Sequence, residues 1–166
     1  MMRDQPMDKM LNNSAGVVRA DGTRANFLQR LQSSPYKGRK NRNPTRIRGT
    51  CEWFTTHDLF LNWQKETSTI LWVSADPGCG KSVLARYLVD EVLASSATRT
   101  TCYFFFKDDF DDQKSLETAV CCILHQLFVQ RPALLLEKFL KKVSDHDDQL
   151  FSSFSELWHM LIEAAT

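Results

Sequence analysis

The sequence predicts an α/β layer fold: a short parallel sheet with two main strands, 69–74 and 100–106, flanked by helices. Three observations predict it. Two short apolar runs rich in β-branched and aromatic residues stand alone between polar stretches, as buried strands do. Segments with apolar residues three and four apart separate and follow them, as amphipathic helices do. A glycine-bearing turn joins the first run to the helical segment after it.

The elements follow in chain order. Residues 1–22 are polar and without period, and are expected to be a disordered tail. Thr23 to Gln32 forms a short helix with Phe27, Leu28 and Leu31 on one face, ended by Ser33-Ser34-Pro35. The segment to Thr50 carries Lys37, Arg39, Lys40, Arg42, Arg46 and Arg48 with no acid. Tyr36 is its only aromatic residue, so it offers no platform on which bases stack. It reads as a solvated basic linker, and no specific nucleic-acid partner is expected. Cys51 to Trp63 reads as one helix. Thr69-Ile70-Leu71-Trp72-Val73-Ser74 is the first strand, Lys81 to Leu93 a helix, and Thr100 to Phe106 the second strand. Ser115 opens a long helix with the stripe Leu116, Ala119, Val120, Ile123, Leu124, Leu127 and Phe128, which Pro132 ends. Ala133 to Val143 and Ser155 to Ala165 are further helices, and the acidic cluster Asp145 to Asp148 between them reads as solvated. The chain divides into the tail 1–22, a helix plus basic linker 23–50, and a portion 51–166 that holds both predicted strands and the longer helices.

Composition narrows the class. A chain of 166 residues with 43% hydrophobic and 25% charged residues is one domain's worth of globular protein. It has no apolar run long enough to cross a membrane. Met1 to Pro6 lacks the apolar core of a signal peptide. Five cysteines in no C-x-x-C spacing fit reduced thiols better than disulfides or zinc, and the expected location is the cytoplasm. Residues 1–50 hold eleven Lys and Arg against three Asp and Glu, a net +8, whereas 51–166 is −7. Such asymmetry marks two segments with different roles, or one domain with a basic tail.

The chemistry lies between the first strand and the helix after it, at Ala75-Asp76-Pro77-Gly78-Cys79-Gly80-Lys81-Ser82. This matches the phosphate-loop pattern G-x-x-x-x-G-K-[ST] except at its first position, where alanine stands for glycine. A triphosphate is a dense anion that needs many fixed donors. Successive backbone N–H groups from Gly78 to Ser82 can curl around it as a nest, at the start of a helix. Lys81 supplies a cation toward the β- and γ-phosphates, and Ser82 a hydroxyl ligand for Mg²⁺. Beyond residue 50 the only glycines are Gly78 and Gly80, where average usage of about 7% predicts roughly eight. A chance match is expected about once in a hundred chains of this length. The expected ligands are ATP or GTP with Mg²⁺. Hydrolysis also needs an acid at a neighbouring strand end. Asp108 or Asp109 follows the second strand, but Lys107 intervenes and shifts the register by one. A metal role for Asp108 is the weaker expectation, against an ordinary solvated acidic loop.

Thr50-Cys51-Glu52-Trp53-Phe54, the Phe60 to Trp63 spacing, Leu71 to Ser82 and Cys102 to Lys107 together resemble one family. It is the nephrocystin-like N-terminal nucleotide-binding domain of fungal NACHT-type STAND NTPases. The resemblance runs from about Phe27 to the C-terminus. It implies an incomplete P-loop NTPase fold and an intracellular switch set between an effector region and repeats. It also implies that the Walker B strand follows Phe154 to Leu161, where the sequence ends, so efficient hydrolysis is not expected and the chain reads as the truncated opening portion of the switch. Two other readings stand beside this one. The first is a small complete kinase-like enzyme using Asp108 or Asp109. The second is a non-catalytic fragment that associates with itself or with longer relatives.

Overall fold

The computed structural model describes residues 22–146 and 149–166. The expected tail lies outside these residues except for Gly22, and so do Asp147 and Asp148 of the acidic cluster. The described chain is helical: α1 (22–31), α2 (Tyr36–Asn41), α3 (Glu52–Thr55), α4 (Asp58–Trp63), α5 (Lys81–Tyr87), α6 (Leu116–Gln130), α7 (Glu137–His146), α8 (Gln149–Ser152) and α9 (Phe154–Ala165). No helix among the described residues is long and apolar enough to cross a membrane.

The predicted parallel sheet is not there. Among the described residues no strand is present, and no ladder joins 69–74 to 100–106. An apolar run fixes where a strand would form, but a strand exists only when a neighbour supplies its hydrogen bonds. Leu71 packs inward, while Ile70 and Trp72 are 88% and 85% exposed. Leu71 is the one residue of 69–74 that is not exposed, so the segment is not buried on both faces as a parallel strand would be. Thr100 to Phe105 is half-buried instead. Its Tyr103 ring stands edge-on to Tyr36 at 5.8 Å, and Thr101 donates its hydroxyl proton to the Leu93 carbonyl.

Two compact units divide the chain, one from Pro35 to Phe105, the other made of the residues up to Ser34 together with Phe106–Thr166. In the second of these, Phe27 and Leu31 of α1 are buried with Leu124 and Phe128 of α6, Phe139 of α7, and Leu157 and Met160 of α9. Phe128 lies 6.2 Å from Phe27 and 5.9 Å from Phe139, ring centre to ring centre, the spacing of favourable aromatic pairs. Helix α6 starts where its cap dictates, with Ser115 Oγ accepting from the Thr118 N–H at 3.0 Å. Helix α9 begins at Phe154, earlier than the sequence suggests, because Ser153 rather than Ser155 caps it.

In the Pro35–Phe105 unit, Phe54, Phe60 and Leu84 form a smaller core, flanked by Trp63, Leu71 and Tyr87. The single helix expected over 51–63 is two, α3 and α4. His57 is extended at the break and caps α4, its Nδ1 accepting from the Leu59 N–H at 3.2 Å. The hydroxyls of Thr55 and Thr56 donate back to the Glu52 carbonyl, which competes with helix continuation. Helix α5 runs on through a π turn, Leu88–Val92.

Candidate functional site

Residues 75–80 lead as an exposed turn from the 69–74 segment into α5, whose first two residues are Lys81 and Ser82. Gly78 and Gly80 carry φ of +84° and +78°, left-handed conformations that side chains disfavour. A Cβ at either would meet nothing within 4 Å, so the requirement comes from the backbone and not from crowding. The Cys79 N–H donates to the Asp76 carbonyl at 3.3 Å and closes the turn. Gly80 sits at the helix boundary, its carbonyl accepting from the Leu84 N–H at 2.9 Å. Lys81 folds back over the entry to the turn. Its Nζ donates to the carbonyls of Ala75 at 2.6 Å and Asp76 at 2.9 Å.

All eight sequence-predicted residues, Ala75 to Ser82, thus lie together in this turn and the start of α5. Ser82 is exposed in the first turn of α5. Among the described residues no group of three or more His, Cys, Asp or Glu is placed to hold a metal alone. Asp108 and Asp109 form an exposed turn in the other compact unit.

Beside the turn lies a groove of about 480 Å³. Ala75, Cys79, Gly80 and Lys81 form one end, and Ile47, Cys51, Trp53, Val73, Val83 and Leu84 supply apolar lining. Its outer wall is the segment 44–53. Gly49 turns this wall at φ +86°, and Cys51 takes φ +70°, which is costly for a residue with a Cβ.

The wall is tied to the α5 extension by charge. Arg46 pairs with Glu52 and, at 3.0 Å, with Glu91, and its guanidinium lies 4.2 Å over the Tyr87 ring. The hydrogen bond to Glu91 raises the pKa of Arg46. Glu52 is lowered, first by its own backbone N–H and then, against burial, by Arg46. Arg86 donates to the Asn41 carbonyl at 3.1 Å and to the Asn43 carbonyl, and pairs with Asp90 at 3.3 Å. Lys40 also pairs with Asp90. The basic run is therefore an ion-paired, partly helical strap. Reading it as linker missed the wall of the groove. The available signal was charge complementarity: an acid-free basic run in a chain whose α5 segment ends in Asp90-Glu91.

The Nephrocystin 3, N-terminal family model matches residues 49–166. Within that span lie Thr50 to Phe54, the 75–82 turn and Cys102 to Lys107, the residues on which the resemblance was drawn. The vegetative incompatibility protein HET-E-1 of Podospora anserina is 28% identical over 116 residues, which cover 69% of this chain and 8% of that protein. The chain thus spans a small part of this relative's length. No solved structure matches. With most of its length inside the match, and the turn and half of the strap's wall with it, the chain belongs to the nephrocystin 3 N-terminal family.

Proposed function

We propose that this chain is the nucleoside-triphosphate-binding module of a NACHT-type signalling NTPase, taking ATP or GTP with Mg²⁺ on Ala75 to Ser82. One observation carries the reading. In a chain of this family, the turn with two left-handed glycines feeds a helix whose first residue is a lysine with its ammonium already over the turn. Left-handed glycines let consecutive N–H groups converge on one anion. The Lys81 ammonium is held only by carbonyls, and a triphosphate is the stronger acceptor. On binding, the lysine exchanges those carbonyls for phosphate oxygens, and the Ser82 hydroxyl adds to the metal's ligands. Binding without efficient hydrolysis is the expected behaviour of residues 75–82, because hydrolysis also needs an acid at a neighbouring strand end that holds the metal and orders water.

Equilibrium binding of labelled ATP and GTP to wild type and Lys81→Ala tests this. Loss of most of the Mg²⁺-dependent binding in Lys81→Ala is the expected result, with release of phosphate at background level in both. Equal binding by the two proteins contradicts it.

A further inference from the structure

We propose that Arg46, with Glu52 and Glu91, is a positioning residue for the nucleotide: it holds segment 44–53 as the wall of a groove that receives the nucleoside end. The inference rests on the reading of 75–82 as the phosphate site. It deepens that reading by giving the sugar and base a place and a device that sets it.

Continuity is the first argument. Ala75, Cys79, Gly80 and Lys81 belong to the phosphate turn and also line the groove. Any group attached to a phosphate held there enters the groove at that end. Size and chemistry agree. A volume of about 480 Å³ lies within the range of small-ligand sites. The lining is apolar, and Ile47 and Trp53 stand 77% and 66% exposed although the smaller core lies beside them. An exposed indole in a largely apolar lining suits the flat face of a base, because stacking tolerates any base.

The second argument is the way the wall is held. Isolated exposed ion pairs contribute little. Here two carboxylates from separate elements and one aromatic ring converge on a single guanidinium, whose planar fork can serve them together. Glu52 heads the short helix carrying Trp53, and Glu91 lies on the extension of the helix that begins at Lys81. Glu52 also accepts from the Gly49 N–H at 3.3 Å, so the same carboxylate braces the turn in the wall. Arg46 therefore fixes the distance between wall and phosphate turn without touching the ligand.

The test compares two ligands on the full chain: Mg²⁺-ATP, which has both ends, and inorganic tripolyphosphate, which has only one. Calorimetric titrations would use wild type, Arg46→Gln, Arg46→Lys, Glu91→Gln and Trp53→Leu. The expected result is ATP binding weakened at least about fivefold by Arg46→Gln and Glu91→Gln, with tripolyphosphate affinity unchanged. Arg46→Lys keeps the charge without the fork and is expected to fall between. Trp53→Leu, at an exposed site that does not threaten folding, is expected to cost about tenfold for ATP and nothing for tripolyphosphate. Equal weakening of both ligands, or no change with ATP in Trp53→Leu, overturns the inference while leaving the phosphate reading in place. Failure of wild type to bind tripolyphosphate and ATP alike overturns both.

Discussion

At the scale of single residues, environment divides five chemically identical thiols. Cys79 is exposed on the turn before α5, whereas Cys121 and Cys122 are buried on α6. Burial pushes the Cys121 thiol up to about 12 and the Cys102 thiol up to about 11, and it raises Cys122 as well. The thiolate is the reacting form, so these three are protonated and inert near neutral pH. Alkylation followed by peptide mass spectrometry is expected to label Cys79 first and Cys121 and Cys122 last. Labelling of α6 before Cys79 would show that the turn is covered. Residue by residue, local structure was legible where one backbone requirement decides: the turn at Gly78 and Gly80 within the candidate site, and the helix start at Ser115. Cys51 was not legible in this sense, since nothing in its identity announces a left-handed conformation.

At the scale of elements, helices were legible because their signal is internal. The stripe of α6 needs no partner to be recognised, and its cap lies one residue before it. The extended segments were not, because a strand is a relation between two segments and only one was visible in each apolar run. The strap was hidden for a similar reason: its partners Asp90 and Glu91 lie more than forty residues away. Its pH response follows from Asp90. Burial pushes this carboxyl up, but the hydrogen bonds from Lys40 and Arg86 outweigh burial and leave it below its ordinary value. A carboxyl lowered in the folded state adds stability above its unfolded pKa of about 3.9, and that stability is lost as pH falls through the lower folded value. Arg46, raised, stays charged throughout. Thermal melts are therefore expected to show Asp90→Asn less stable than wild type at neutral pH, with the gap closing below about pH 4. A gap that stays constant into acid would mean that Lys40 and Arg86 do not act through this carboxylate.

At the scale of the whole molecule, each compact unit has its own buried aromatic cluster, Phe27, Phe128 and Phe139 in one and Phe54 and Phe60 in the other. The helices of the unit that holds α6 and α9 were readable from periodicity, whereas the other unit was read as carrying two strands that it does not have. The absence of a sheet among the described residues was not, since hydrophobicity says that a segment wants burial and does not say what buries it. In the proposed function, backbone N–H groups of one turn, and not the wider surface, hold the nucleotide. Amide hydrogen exchange with and without Mg²⁺-ATP measures that turn directly. Slowed exchange across 78–82 on adding nucleotide, absent in Lys81→Ala and with α6 and α9 unchanged, is the predicted result. Protection confined to other segments, or the same protection in Lys81→Ala, would contradict it.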